Sequence, residues 1–307
     1  MQVFSYYNNK GGVSKTTSAM FMGELLATAG YPTLLLDNDS QGTLSTDTYE
    51  IPKDAVGMAE ILENPDRLEE ALHETRIKDL WIIPPGKDLE RVTQGWESNK
   101  LLREKVRRIL DLIRANLSAS FEACIIDNPP RYFGISMYSS EYADKIVIPV
   151  QSESAAFKAT LRTYVEMKVT FPFWDRQDVN ILVTQHKERR NAATGFLIGF
   201  KQWAKIESQS YQDQNPGKKL KLRVLDTVIP DSADVENTKM EKSNLFLKRS
   251  KSELAKAYIG ATEEMVPELT GLGNRILAMV EERKKENFAK NILPNAFRKT
   301  EATVGQE

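Results

Sequence analysis

Between an apolar run at Gln2–Tyr6 and a stretch of helical periodicity that begins at Lys15, the chain carries Asn9-Lys10-Gly11-Gly12-Val13-Ser14-Lys15-Thr16-Thr17. A strand, a glycine-rich turn and a helix in that order constrain both fold and chemistry. Gly11 and Gly12 let the backbone curl so that several N–H groups converge, and the N-terminus of the following helix adds partial positive charge. The result is an anion cradle, in which Lys15 neutralises the β- and γ-phosphates of a nucleotide and Thr16 offers its hydroxyl to Mg²⁺. The ordinary G-x-x-x-x-G-K-[ST] spacing is not met, because Asn9 and Ser14 stand where its glycines belong.

The rest of the chain supplies a fold that can carry such a loop. Strand-like runs at Gln2–Tyr6, Thr33–Asp37, Leu80–Pro84, Ala123–Asp127, Lys145–Val150, Asn180–Thr184 and Leu222–Ile229 alternate with stretches long enough for helices. This alternation predicts an α/β fold, a mostly parallel twisted sheet with helices on both faces; together with the strand, loop and helix around Lys15 it resembles a P-loop NTPase-like fold. Lys15–Ala29 places Ala19, Met20, Met22, Leu25, Leu26 and Ala29 at helical spacing and ends at Gly30, a C-terminal cap residue. Leu101–Leu117 reads as a second helix, charged and aliphatic. Without internal repeats or low-complexity linkers, residues 1–273 are expected to form one domain. Residues 274–307 are expected to form a charged helix and then a polar tail that is mobile or ordered only by a partner.

Two further motifs end predicted strands with carboxylates. Asp37-Asn38-Asp39-Ser40-Gln41-Gly42 follows the second run, and Ala123-Cys124-Ile125-Ile126-Asp127-Asn128-Pro129-Pro130 contains the fourth. Carboxylates at the C-terminal ends of parallel strands lie on the ligand-binding edge of the sheet, beside the phosphate loop.

The loop is similar to the deviant Walker A motif, K-G-G-x-x-K-[ST], in which an additional lysine opens the loop. Through it the sequence resembles the ParA/MinD family of deviant Walker A ATPases, and YNNKGGVSKTT resembles the ParA branch. The Asp37–Gln41 segment is similar to the family's D-x-D-x-Q pattern, and the strand ending at Asp127 to its Walker B sequence. The likeness continues through Ala143–Gln151 and Val228-Ile229-Pro230-Asp231, spanning roughly residues 1–270, while residues 40–120 and 185–222 match no family feature.

The resemblance implies ATP and Mg²⁺ as ligands. Lys10, Gly11, Gly12, Val13, Ser14, Lys15, Thr16 and Thr17 would hold the phosphates, with Pro230 and Asp231 at the adenine. Thr16 and Asp127 would hold Mg²⁺, with Asp37 supporting that shell or Lys15. Asp39 would orient or deprotonate the attacking water. Lys10, Lys15 and Asp39 are thus the expected catalytic residues. By the same resemblance Lys10 reaches across a homodimer to the partner's nucleotide, making ATP the glue of a sandwich dimer. Ser14 departs from the family, which has glycine there. If that position needs positive φ, serine costs about 1 kcal/mol, and its hydroxyl can compensate by donating to phosphate, so nucleotide binding with slow turnover is expected.

Net charge limits the partners. With Lys+Arg 42 against Asp+Glu 43, any attraction to DNA must come from local clusters. Lys242, Lys248, Arg249, Lys251 and Lys256 form one; Arg283, Lys284, Lys285, Lys290, Arg298 and Lys299 a second; Lys218, Lys219, Lys221 and Arg223 a third. Lys248, Arg249, Lys251, Arg283, Lys284 and Lys285 are the candidate contacts for nonspecific, salt-sensitive DNA binding. The resemblance implies DNA binding in the ATP form and a partner protein that stimulates hydrolysis, so that the cycle positions a plasmid, a chromosome region or a protein compartment such as a carboxysome. A nucleotide-gated binding module that hydrolyses slowly is the alternative on the same loop.

A MinD-like membrane helix is the competing reading: Ile276, Leu277, Met279 and Val280 make a modest apolar stripe before Arg283–Lys285, but the chain's last residues lack a bulky apolar face. Cys124 is the sole cysteine, which opposes disulfides, thiolate zinc and a cluster carrier. No tyrosine cluster ends the chain, unlike bacterial tyrosine kinases on this fold. With no apolar run near ~18 residues and no signal-like start, a cytoplasmic protein is expected, nucleoid-associated if it binds DNA. Because the first strand begins at Gln2, no upstream helix-turn-helix and no sequence-specific operator binding are expected.

Overall fold

The computed structural model describes residues 1–93, 100–130, 134–152, 154–170, 174–186, 191–283 and 285. Its strands are β1 (Gln2–Tyr6), β2 (Thr33–Asp37), β3 (His73–Glu74), β4 (Leu80–Ile83), β5 (Ala123–Asp127), β6 (Lys145–Gln151), β7 (Asp178–Thr184) and β8 (Leu222–Val224). They form one sheet in the order β3-β4-β2-β5-β1-β6-β7-β8, parallel throughout except for β3 against β4. The helices are α1 (Lys15–Thr28), α2 (Met58–Glu63), α3 (Leu89–Thr93), α4 (Lys100–Leu117), α5 (Ile135–Tyr142), α6 (Ser154–Thr170), α7 (Asn191–Gln214), α8 (Asp234–Met240), α9 (Leu245–Lys248) and α10 (Glu253–Met265). A further helix, α11, covers 272–283.

Alternation along each central strand feeds two cores. Val3, Leu34, Leu36, Cys124 and Ile126 face one side, under α2, α4, α5, α6 and α7. Phe4, Leu35, Ala123 and Ile125 face the other, under α1, α9, α10 and α11. Strands covered on both faces bury side chains at successive positions, which is why these runs are largely continuous rather than alternating in sequence. Each fully buried aliphatic side chain contributes about 1.5–3 kcal/mol relative to exposure.

The expected α/β, mostly parallel sheet with helices on both faces is what the chain forms. Gly30 ends α1 as expected: at φ 82° it lets its own N–H reach the Ala27 carbonyl and the Tyr31 N–H reach Leu26. Three expectations change. The last strand stops at Val224 instead of Ile229, because the Glu264 carboxylate captures the backbone N–H groups of Asp226 and Thr227. The short antiparallel β3 is additional. Helix α1 is buried almost all round, not only along the apolar residues at helical spacing, because Phe246 and Tyr258 pack across Phe21 with ring centroids 6.4 and 5.0 Å away.

The division expected between 273 and 274 falls inside α11, whose Leu272, Ile276 and Val280 are buried in the second core. The apolar stripe weighed as a membrane surface is thus partly spent inside the protein. Among the described residues no helix is long and apolar enough to cross a membrane.

Candidate nucleotide-binding site

The C-terminal ends of β1, β2, β5, β6 and β7 meet at one edge of the sheet, and a cleft of about 520 Å³ lies along it. Gly11, Gly12, Ser14, Lys15, Thr16, Thr17 and Asp39 line it, as do Ile229, Pro230, Asp231 and Ser232. The two stretches that the sequence assigned to phosphate and adenine therefore share one cleft. Pro230 is fixed there because the backbone at His186, just past β7, bridges to it: the His186 N–H donates to Ile229 and the Asp231 N–H to His186.

The loop curls through two left-handed residues, Gly12 at φ 72° and Ser14 at φ 67°. Ser14 caps α1 with its backbone alone, since its hydroxyl makes no cap hydrogen bond and its carbonyl accepts from the Ser18 N–H. The first-turn N–H groups of α1 are left for an anion. Val13 is buried and anchors the loop through its carbonyl, which accepts from the Thr184 hydroxyl at 3.2 Å. Lys15 is buried as well, and its ammonium donates to the Lys10 carbonyl at 3.1 Å. Burial lowers the pKa of Lys15, against the opposing pull of Asp127 and Asp39.

Asp37 and Asp127 are register partners on adjacent parallel strands, both buried. Burial pushes the Asp37 carboxyl up to about 6 despite its hydrogen bonds to Ser45 and Asp39. Burial, then the neighbouring Asp37, raises Asp127 well above the carboxylate range, while a Thr16 hydrogen bond opposes the shift. One Asp127 oxygen, Oδ1, is buried without a hydrogen-bond partner. An orphaned carboxylate oxygen beside a Thr16 hydroxyl and a phosphate cradle fits Mg²⁺, which takes one or two carboxylates and completes its shell with phosphate and water.

Asp37 also organises the turn: its Oδ2 accepts from the Ser45 backbone and hydroxyl at 2.9 and 2.8 Å and its Oδ1 from the Asp39 N–H at 3.1 Å. Asp39, at the end of that turn, accepts from the Gln41 N–H at 3.0 Å and lines the cleft. Asn38 Nδ2 reaches Asn128 Oδ1 at 3.2 Å and Ser139 Oγ at 3.0 Å, locking the two carboxylate-bearing turns together.

Sequence reasoning missed two glutamines. Gln151, at the end of β6, accepts from Lys10 Nζ at 3.1 Å and donates to the Gly12 carbonyl at 2.9 Å and to Gln185 Oε1 at 2.8 Å. Gln185, one residue past β7, donates to the Ser14 hydroxyl at 2.9 Å. Their one available signal was position, since both end parallel strands on the ligand edge.

The candidate DNA contacts are not gathered into a free basic patch. Glu241 accepts from Lys248 at 3.0 Å and from Arg249 at 2.7 Å, and Arg249 also meets Asp234 at 3.4 Å. These partners hold the Glu241 carboxyl down at about 2. In the third cluster Lys218 pairs with Asp175 and Lys221 with Asp178. Lys251 and Lys285 are exposed, Arg283 is half-buried, and Lys284 lies outside the described residues.

The model of the AAA domain family AAA_31 matches residues 1–169. The chromosome-partitioning ATPase Soj of Treponema pallidum is 31% identical over 160 residues, covering 50% of this chain and 58% of that protein. The chromosome partitioning protein ParA of Caulobacter vibrioides is 26% identical over 270 residues, 87% of this chain and 94% of its own. Among solved structures, an ATP complex of a Cyanothece McdA variant superposes with a TM-score of 0.67 at 20% identity, over 86% of this chain and 96% of that one, which is a likeness of fold. Matched over more than half its length by the family model, with the lysine-opened loop and both carboxylate-ended strands on one sheet edge, the chain belongs to the ParA/MinD family of deviant Walker A ATPases.

Proposed function

We propose that this protein hydrolyses ATP to ADP and phosphate in a sandwich homodimer, binds nonspecific DNA in its ATP state, and positions a cargo through that cycle. A partner protein stimulates hydrolysis and releases the DNA. The observation that carries this reading is the convergence of Lys15, Thr16 and Asp39 on one cleft, with Asp127 buried behind them against Thr16 and Lys15, and Lys10 opening the same loop.

The loop N–H groups and Lys15 hold the phosphates, so the transferred group is positioned before reaction. Lys15 exchanges the neutral Lys10 carbonyl for phosphate oxygens, a charge-assisted and stronger bond. Asp39 accepts a proton from, or orients, the attacking water. Thr16 and Asp127 would hold Mg²⁺, which neutralises charge building on the phosphate oxygens. Positioning of a cargo follows the names of the relatives, chromosome partitioning proteins of Treponema and Caulobacter. A nucleoid-associated cytoplasmic location is part of the same proposal. DNA is preferred to membrane because Ile276 and Val280 are buried in the core.

The test uses Asp39→Ala protein, which holds ATP without turning it over. Its binding to random-sequence duplex DNA is measured with ATP, with ADP and without nucleotide across a salt titration. Binding with ATP alone, falling steeply with salt, is the expected result. ATP-dependent dimers that bind no DNA in any state would overturn the DNA reading in favour of a membrane or protein scaffold.

Ser14 sets the expected rate. At φ 67° and ψ 29° a serine carries about 1 kcal/mol of strain, and its hydroxyl accepts from Gln185 Nε2 at 2.9 Å. Ser14→Gly removes both the strain and the tether. Phosphate release by the variant is expected to rise severalfold, with a melting temperature within a few degrees of wild type. An unchanged rate would show that serine is not the brake.

A further inference from the structure

We infer that Lys239 is a further nucleotide contact: an ammonium carried by α8 that reaches the α-phosphate. The inference rests on the nucleotide-site reading above. With the outer phosphates at Lys15 and Thr16 and the base at Pro230–Asp231, the bound molecule shares its cleft with Thr17 and α8, whose Val235, Glu236 and Lys239 line it. Lys239 Nζ lies 3.4 Å from Thr17 Oγ1. Thr17 follows Thr16, the Mg²⁺-side hydroxyl, in the chain and lines the same cleft as Pro230 and Asp231. An ammonium beside Thr17 is thus offered to the phosphate next to those at Lys15 and Thr16.

Its surroundings leave that charge for a ligand. Nearby basic side chains are matched: Lys242 pairs with Glu50, and Lys248 and Arg249 pair with Glu241. Lys239 makes no ion pair with any described acid, not even Glu236, which lines the same cleft three residues earlier. Its neighbour across the cleft is a neutral hydroxyl. Helix α8 is meanwhile held firmly. Arg249 ties Asp234 at its start to Glu241 at its end, Thr238 is buried, and Val235 packs against the second core. A cation on a fixed helix, facing the Thr17 hydroxyl, makes a charge-assisted contact with a phosphate there without first ordering a loop.

Because ATP, ADP and AMP share the α-phosphate, this contact is made equally to all three. Lys10, which serves the terminal phosphate across a dimer, would affect ATP alone. The experiment is calorimetric titration of full-length wild-type, Lys239→Gln and Lys239→Arg proteins with ATP, ADP and AMP. The expected result is a loss of about tenfold in affinity for each nucleotide in Lys239→Gln, with most of it recovered in Lys239→Arg. Equal affinities in wild type and Lys239→Gln would overturn the assignment, as would a loss confined to ATP, which would move Lys239 to the γ-phosphate. Failure of Lys239→Arg to recover affinity, or a lower melting temperature in both variants without nucleotide, would overturn it in favour of a structural role. Failure of the wild type to bind any nucleotide would instead overturn the proposed function itself.

Discussion

Lys10→Ala is expected to abolish ATP-dependent dimers and to lower phosphate release at least 100-fold, while weakening ADP binding less than threefold. The backbone at this position does structural work that alanine retains. Its N–H donates to Asn8 Oδ1 at 3.0 Å and its carbonyl accepts from Lys15 Nζ at 3.1 Å. Only the side chain is lost, and in the monomer that side chain makes one hydrogen bond to a neutral acceptor, Gln151 Oε1, at 3.1 Å. A neutral-acceptor bond of this kind contributes about 1 kcal/mol net. In the proposed dimer, leaving it for the phosphate of a facing subunit would gain a charge-assisted bond on the group whose charge grows during transfer. Cations supplied to that position in other phosphoryl-transfer sites contribute about 10³–10⁵ in rate, so 100-fold is a cautious floor. Light scattering after size exclusion, with ATP in an Asp39→Ala background, reports the dimer; steady-state phosphate release in the otherwise wild-type protein reports the rate. Normal dimers in Lys10→Ala would remove the cross-subunit role.

The parts of this molecule that were legible in sequence are those where a local pattern and a chemical need coincide. The strand, glycine loop and helix around Lys15 announce themselves because each residue type is required by its neighbours, and Asp37 and Asp127 because a carboxylate closes an otherwise apolar run. Gly30 was readable for the same reason. What sequence concealed depends on contacts between distant segments. The near-complete burial of α1 comes from Phe246 and Tyr258, more than 200 residues away in the chain, and no periodicity within α1 encodes it. The early end of β8 is dictated by Glu264. Gln151 and Gln185 are unremarkable residues until the parallel pairing of β6 and β7 sets them side by side behind the loop. Charge counting met the same limit: Lys248 and Arg249 look like a basic patch until Glu241 is placed between them.

Glu24→Gln is expected to flatten the pH dependence of stability and to make the protein more stable than wild type in alkali. Glu24 is wholly buried on α1, with Oε1 accepting from the Tyr49 hydroxyl at 3.3 Å and lying 4.0 Å from Arg76. Burial pushes its carboxyl from 4.5 up to about 8, outweighing the opposite pulls of Arg76 and Tyr49. The folded protein thus keeps a proton that the unfolded chain releases above 4.5. Stability from this proton is fully present below pH 4.5 and is lost as pH rises through about 8. The slope within that window approaches 1.4 kcal/mol per pH unit for a single group. Glutamine keeps the shape and the Tyr49 contact but cannot ionise. The other buried acids, Asp37 among them, titrate in both proteins and cancel in the difference. Urea unfolding of the two proteins at intervals from pH 5 to 9 should give curves that meet near pH 5 and diverge above it, the variant leading by several kcal/mol at pH 9; parallel curves would exclude Glu24 as the titrating group. The consequence reaches the site, because Tyr49 closes the segment 43–48, whose Ser45 holds Asp37 in place. A charge forced onto Glu24 loosens that segment from beneath, so the loss of stability in alkali should be accompanied by faster amide exchange at Ser45 and Thr46 in wild type and not in the variant.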